Sequence, residues 1–291
     1  MPGLGMVGSS LRHDGDELLG QRGGPDAYAQ RGATFGIPLL HPWANRLSGW
    51  EYDQAGRRVD LDRNSPVLKA DPDTGLPIHG ALAASPYWEL RDLGSDSTES
   101  WVQAALDYGA HPELMSVFPF AHRLDYRACL GDGGLSVRLT VTASGDDEVP
   151  IAFGFHPYLS LPGSDRADWR VELPVTRRAL LDGSGIPTGE HEQVGTGGLS
   201  GRLGSRTFDD SFDALAGEPP VFSVADPRRR VQLRFDEGYP VAQVYAPEGS
   251  SFIAFEPMTA PVDALRRGRR LRQLDPGQSF TSCFSIAVND R

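Results

Sequence analysis

Cysteine is nearly absent from this sequence: two residues in 291, Cys129 and Cys283, are too few for a disulfide scaffold. Each lies in an alternating run, where a small buried apolar side chain is the expected role, and a single bridge between them stays open. Positive charge is also short. Lys and Arg total 28 against 39 acidic residues, a formal net charge of -11, which argues against a nucleic-acid-binding surface because phosphate neutralisation needs an excess of cations. The one local exception, Arg266, Arg267, Arg269, Arg270 and Arg272, reads as a solvated face, with contact to a phosphorylated ligand as the sharper alternative. No stretch is apolar enough to cross a membrane, and no charged-then-apolar leader opens the chain, so a cytoplasmic protein without a membrane partner is expected. Amphipathic helical periodicity hardly extends beyond two turns anywhere.

What the chain has instead is alternation. Leu124, Tyr126, Ala128 and Leu130 alternate with polar partners, and Leu135, Val137, Leu139 and Val141 do so after Gly131-Asp132-Gly133-Gly134. Two such runs across a Gly-rich turn predict a β-hairpin with one wet face. Similar runs occur at Val231 to Phe235, Val241 to Tyr245, Phe252 to Phe255 and Phe280 to Val288. Residues 1–19 read as strand-turn-strand, and 34 Gly and 23 Pro punctuate the chain throughout. The expected fold class is all-β and antiparallel, with a single domain over residues 1–291. The Gly-rich segment 182–204 is expected to be a long surface excursion bordering a site.

Three clusters set an ionisable residue among Gly, Pro and aromatic residues: Leu76-Pro77-Ile78-His79-Gly80, Phe153-Gly154-Phe155-His156-Pro157-Tyr158 and Ile253-Ala254-Phe255-Glu256-Pro257. In the last two, an apolar run closes on the ionisable residue and proline follows. Such a strand is expected to stop at the sheet rim, where loops gather and small ligands bind. A carboxylate directly after Phe252-Ile253-Ala254-Phe255 carries a desolvation cost unless it is paired or used.

These clusters occur in the order Gly36-Ile37-Pro38, Ala44-Asn45-Arg46, His79-Gly80, Phe118-Pro119-Phe120, His156-Pro157-Tyr158, Asp209-Asp210-Ser211-Phe212 and Glu256-Pro257. In that order they resemble the aldose 1-epimerase (galactose mutarotase) family from about residue 8 to the final strand near Val288. The resemblance implies a large antiparallel β-sandwich of the galactose mutarotase-like type. It further implies that His156 is a catalytic acid and Glu256 a catalytic base, with Arg46, His79 and Asp209 hydrogen-bonding a sugar. Asp210 and Asp213 lie near enough to compete with Asp209. The chain departs from the family's pattern at Val141 to Gly145, where an asparagine is common, at Ala81 in place of a second glycine, and at Met258 in place of glutamine. These departures bear on substrate preference, since none removes an acid or a base.

The implied chemistry interconverts α and β anomers. A base takes the proton of the C1 hydroxyl, an acid protonates the ring oxygen, and the open aldehyde recloses on its other face. No metal, nucleotide or redox cofactor is needed, and the expected partner is a small sugar, bound by a monomer or homodimer. The pair is expected to be ionised before the sugar arrives, Glu256 as carboxylate and His156 as imidazolium, on opposite sides of the ring. Asn45 joins the binding set through its place beside Arg46. For a stacking platform the candidates are Trp43, Tyr87, Trp88, Tyr158 and Tyr245, of which Trp88 reads as core and Trp43 as a site wall. Three rivals remain: a metal triad of His79, His156 and Glu256, a non-catalytic sugar sensor, and a hexose 6-phosphate as substrate reached by Arg46, Arg206 or the Arg266 to Arg272 cluster.

Overall fold

The computed structural model describes residues 1–195 and 197–290. Two antiparallel sheets dominate. In the nine-stranded sheet the order is Gly201–Arg202, Arg170–Glu172, Val221–Ala225, Arg229–Glu237, Ser279–Asp290, Gly134–Ala143, His122–Gly131, Glu99–Asp107 and Glu89–Ser95. The eight-stranded sheet runs Pro187–Gln193, Val175–Leu181, Phe208–Leu215, Val241–Ala246, Ile253–Met258, Gly154–Phe155 and Leu39–Leu40, with Tyr158–Leu159 also paired to Ile253–Met258. The hairpin predicted around Gly131 forms with Leu124 opposite Val141 and Gly131 opposite Gly134.

Alternation places one face of each strand between the sheets. Phe255 and Phe155 of the eight-stranded sheet meet Phe222 and Phe284 of the nine-stranded sheet at ring-centroid distances of 5.4 and 5.1 Å. Such a core needs no helix to cover it, which is why the helices are short: Gly24–Arg31, Pro112–Met115 and Ala264–Arg267. None of them is long and apolar enough to cross a membrane. Both cysteines are free, Cys283 buried and Cys129 half-buried.

Two sequence expectations change. Within the Gly-rich segment 182–204, Pro187–Gln193 pairs with Val175–Leu181 and Gly201–Arg202 pairs with Arg170–Glu172, so much of the segment is sheet rather than free excursion. The prolines after His156 and Glu256 do not end strands at a rim. Pro257 lies inside Ile253–Met258, opposite Ala242, and the chain after Pro157 resumes pairing at Tyr158. A proline removes one ladder donor, and a central strand held on both sides tolerates that loss here.

Candidate active site

Strand register brings the two ionisable residues together. Gly154 lies opposite Met258 and Tyr158 opposite Ala254, so the same register sets His156 opposite Glu256. Because Phe155 and Phe255 face the core, alternation turns His156 and Glu256 to the outer face of the eight-stranded sheet. Their side chains touch, with His156 Nε2 3.2 Å from Glu256 Oε1. They lie side by side on the floor of a hollow of about 520 Å³, not across it as the sequence reading had them, and both are almost fully buried (4% and 2% exposed). That volume is in the usual range for a small-molecule site.

The walls come from three other segments. Asn45 and His79 both adopt positive φ, 58° and 64°, and hold each other: His79 N–H donates to the Asn45 carbonyl at 3.0 Å, and Asn45 N–H donates to His79 Nδ1 at 3.3 Å. With Nδ1 occupied as acceptor, the ring's hydrogen sits on Nε2. Burial, helped by the nearby Arg46 charge, pushes His79 down to about 3, which keeps this tautomer neutral. Gly80 follows at φ 70°, where a Cβ would lie 2.3 Å from the His41 carbonyl oxygen, so only glycine fits this turn. Arg46 is tied to the buried Asp71 carboxylate, and its Nη1 lies 4.0 Å from Asp209 Oδ2. On the sheet itself, Asp209 lies opposite Tyr245 and accepts a 2.7 Å bond from Gln243 Nε2, while Gln243 lies opposite Glu256.

Register also separates Asp209 from its neighbours. Asp210 pairs with Arg178 at 3.2 Å. Asp213, four residues along the strand, is bonded by Arg177, His191 and Arg270 in a different hollow. Only Asp209 lines the hollow above His156 and Glu256.

Burial decides the charge state of the pair. Glu256 is held well above the ordinary carboxylate value, first by burial and then by the Asp209 charge, with Arg46 opposing. His156 is held well below the ordinary imidazole value, by burial first and then by His79 and Arg22. Desolvation therefore favours a neutral carboxylic acid beside a neutral imidazole, correcting the expected ion pair. The proton inventory is the same in either form: one proton shared by two groups. Glu256 Oε2, His156 Nδ1 and Gln243 Oε1 are buried without a hydrogen-bond partner, a set of polar atoms that hydroxyl groups can satisfy.

Of the sequence-predicted site residues, Asn45, Arg46, His79, His156, Tyr158, Asp209 and Glu256 line the hollow. Trp43 does not. It is 1% exposed and packed in the main core, because its backbone bridges to Ala152 and points the indole inward. Tyr158 lines the hollow but serves from behind. His156 stacks on its ring at 4.0 Å and 12°, and its hydroxyl is engaged by Thr34 at 2.6 Å and Arg22 at 2.7 Å. Tyr245, half-buried and edge-on to His156, keeps a face toward the hollow. Sequence reasoning missed Arg22, Thr34, Lys69, Asp71 and Gln243. Only Gln243, one alternation from Tyr245 on the same face, left a signal that period-2 reading can find. The Arg266 to Arg272 cluster and Arg206 lie away from this hollow, Arg266 and Arg267 being tied to Glu51 and Asp263. His79, His156 and Glu256 share the hollow without forming a compact ligand set. Among the described residues, the metal-competent atoms that meet in threes within 4.8 Å are those of His13, Asp14 and Asp290 at the surface.

The sequence pattern of the aldose 1-epimerase family matches residues 9–287. This chain belongs to that family. Solved structures agree on the fold of this aldose 1-epimerase family member. A galactose mutarotase-like protein from Clostridium acetobutylicum is 18% identical with a TM-score of 0.86, the match covering 100% of this chain and 91% of that one. A protein from Synechocystis is 21% identical with a TM-score of 0.80, at 100% and 91% coverage. A galactose 1-epimerase from Lactobacillus acidophilus is 17% identical with a TM-score of 0.73, at 98% and 89% coverage. A sequence search against curated proteins finds no match. Membership in the aldose 1-epimerase family supports a mutarotase-type isomerase activity.

Proposed function

We propose that the chain interconverts the α and β anomers of an aldose by opening and reclosing the pyranose ring, with His156 as acid and Glu256 as base. The observation that carries this reading is the 3.2 Å contact between His156 Nε2 and Glu256 Oε1 on the floor of a sugar-sized hollow. The two groups share one proton, which is the number that ring opening moves. With the proton on His156, Nε2–H protonates the ring oxygen as the C1–O5 bond breaks, and Glu256 takes the proton of the C1 hydroxyl as the carbonyl forms. The pair is then left in its neutral form, the form that burial favours. After rotation about C1–C2, Glu256 returns its proton to the aldehyde oxygen as the ring closes, and the O5 hydroxyl gives its proton to His156. Closed sugar and ionic pair thus alternate with open sugar and neutral pair.

A substrate in the hollow also moves the proton. Hydroxyl groups bonding to Glu256 Oε2 favour its ionised form, as does the Arg46 charge. Arg46, Asn45, His79 Nε2–H and Asp209 supply donors and acceptors around the ring, and Tyr245 supplies an apolar face. The test is the relaxation of freshly dissolved α-glucose and α-galactose, followed by polarimetry with and without protein. Unchanged relaxation for every aldose tried, by protein shown to be folded, overturns the reading.

A further inference from the structure

Part of the arginine cluster that the His156–Glu256 hollow leaves unused borders a second hollow of about 370 Å³, further along the same sheet. Asp209, Ser211 and Asp213 alternate along Phe208–Leu215, so the face that carries Asp209 to the first hollow carries the other two to the second. At ~3.3 Å per residue, Asp209 and Asp213 stand roughly 13 Å apart. Register builds the floor, since Ala179 lies opposite both Ser211 and His191. The facing wall is the segment that follows the strand Ile253–Met258, with Pro261, the buried Val262 and, at the start of the helix Ala264–Arg267, the buried Ala264. The inside is largely apolar.

The rim is cationic. The buried Asp213 carboxylate accepts from Arg177 Nε at 2.7 Å and Nη2 at 3.0 Å, and lies 3.1 Å from His191 Nε2 and 3.3 Å from Arg270 Nη1. Arg270 Nη1 also donates to the Asp213 carbonyl at 2.5 Å. Arg267 is tied to Asp263 at 2.8 Å. Arg269 has no ion pair and no hydrogen bond among the described residues, and its Nη1 lies 3.7 Å from where a Cβ on Gly189 would stand. Asp213 is the one carboxylate of the lining, so Arg177, Arg269 and Arg270 share a single negative charge. It holds two of these guanidinium groups in place and still leaves Arg177 Nη1 and Arg270 Nε and Nη2 without an acceptor among the described residues. A buried acid that gathers cations without neutralising them, beside an apolar floor, prepares a place for a second anion.

We propose that this second hollow binds a small aromatic acid, a flat ring carrying a carboxylate or a phosphate ester, with the ring over Ala179, Val262 and Ala264 and the anion between Arg269 and Arg270. The site is separate from the ring-opening centre and does not depend on that reading. Small residues, Ala179, Gly189, Ser211 and Ala264, line the interior and leave room for a flat body. Apolar ring surface placed there leaves water, and a guanidinium plane stacks on such a ring as readily as it pairs with an anion.

The experiment titrates the whole chain with 2-naphthoate and 2-naphthyl phosphate, followed by the fluorescence anisotropy of the ligand at low and high salt. The controls are 2-naphthol, which keeps the ring without the anion, and inorganic phosphate, read by calorimetry, which keeps the anion without the ring. Either naphthyl anion should bind roughly tenfold or more tightly than both controls, and high salt should reduce that advantage. Arg269→Met removes a cation with no recorded partner, so the fold is preserved, and it should weaken both naphthyl anions by roughly tenfold while leaving 2-naphthol unchanged. Ala179→Leu fills the floor and should weaken both anions as well, with circular dichroism checking that the variant folds. Tighter binding of naphthoate or of naphthyl phosphate identifies which anion the rim fits, and either result supports the proposal. Equal affinity for 2-naphthol or for phosphate alone, no binding at millimolar concentration, or unchanged affinity in Arg269→Met or in folded Ala179→Leu overturns it.

Discussion

Replacing Glu256 by Gln should destroy activity while making the protein more stable, and the structure sets the direction of both effects. Glutamine has the shape of the carboxylic acid and donates to the same His156 Nε2, so the floor of the hollow is preserved. It neither takes nor returns a proton, and the loss of one general base or acid costs a factor of roughly 10² to 10⁴ in rate, or about 3–5 kcal/mol of barrier. Stability moves the other way. A buried carboxyl whose folded value lies well above 4.5 contributes fully below the unfolded value and loses that contribution as pH rises. At pH 7 the unfolded chain has released its proton at this position, while burial holds the folded carboxyl well above its ordinary value, so the group costs the fold stability there. Glutamine carries no such penalty. Urea denaturation should therefore show Glu256→Gln more stable than wild type at pH 7, with the gap closing as pH falls toward 4. Polarimetry supplies the rate. A variant within tenfold of wild-type turnover, or one less stable than wild type at pH 7, refutes the reasoning.

The remaining expectations are briefer. The pH profile of kcat/KM should stay flat through pH 6.5, because His156 is held well below its ordinary value and takes a second proton only in stronger acid; an acid limb centred near 6.5 contradicts this. His79 and His122, lowered to about 3 and about 4, stay neutral in the fold while the unfolded chain gains protons as pH falls through 6.5. Each should cost about 2 kcal/mol of stability between pH 7.5 and 5, visible as a falling urea midpoint; the Ala variant at either position should show a smaller fall, and a fall as large as that of the wild type would contradict burial of that histidine as a neutral group. Trp43→Phe should lower stability by roughly 1–3 kcal/mol through lost core packing and leave KM for the sugar unaltered; a raised KM with unchanged stability would return Trp43 to the site. Asp71→Asn releases Arg46 from its buried partner and should raise KM more than it lowers kcat, by about tenfold, in steady-state kinetics.

Some of the site was legible because its residues sit in local patterns. Glu256 after Phe252-Ile253-Ala254-Phe255 stands out as a carboxylate at a strand position that burial makes costly. His156-Pro157 and Asn45-Arg46 drew notice through resemblance, and all four residues occupy segments that meet at the hollow or support it. The residues that escaped notice have no local mark. Arg22 and Thr34 reach the hollow from the segments flanking the helix Gly24–Arg31, Lys69 reaches it from the short strand Lys69–Ala70 packed against Gly32, and Asp71 matters only because Arg46 folds onto it. Trp43 shows the opposite error: proximity in sequence to Asn45 and Arg46 did not carry its indole to the same side of the backbone.

The amino-acid order by itself determined the antiparallel β architecture, since period-2 alternation between Gly- and Pro-rich turns leaves a sandwich as the way to bury one face of each strand. It also determined which ionisable residues stand where apolar runs make them conspicuous. Only the tertiary structure decided that His156 and Glu256 lie side by side, that Asp209 and not Asp210 or Asp213 joins them, and that the pair rests neutral. Those outcomes depend on strand register between segments a hundred residues apart, where a slip of one residue moves a side chain to the opposite face, and on how much water the packed sheet excludes from the two groups.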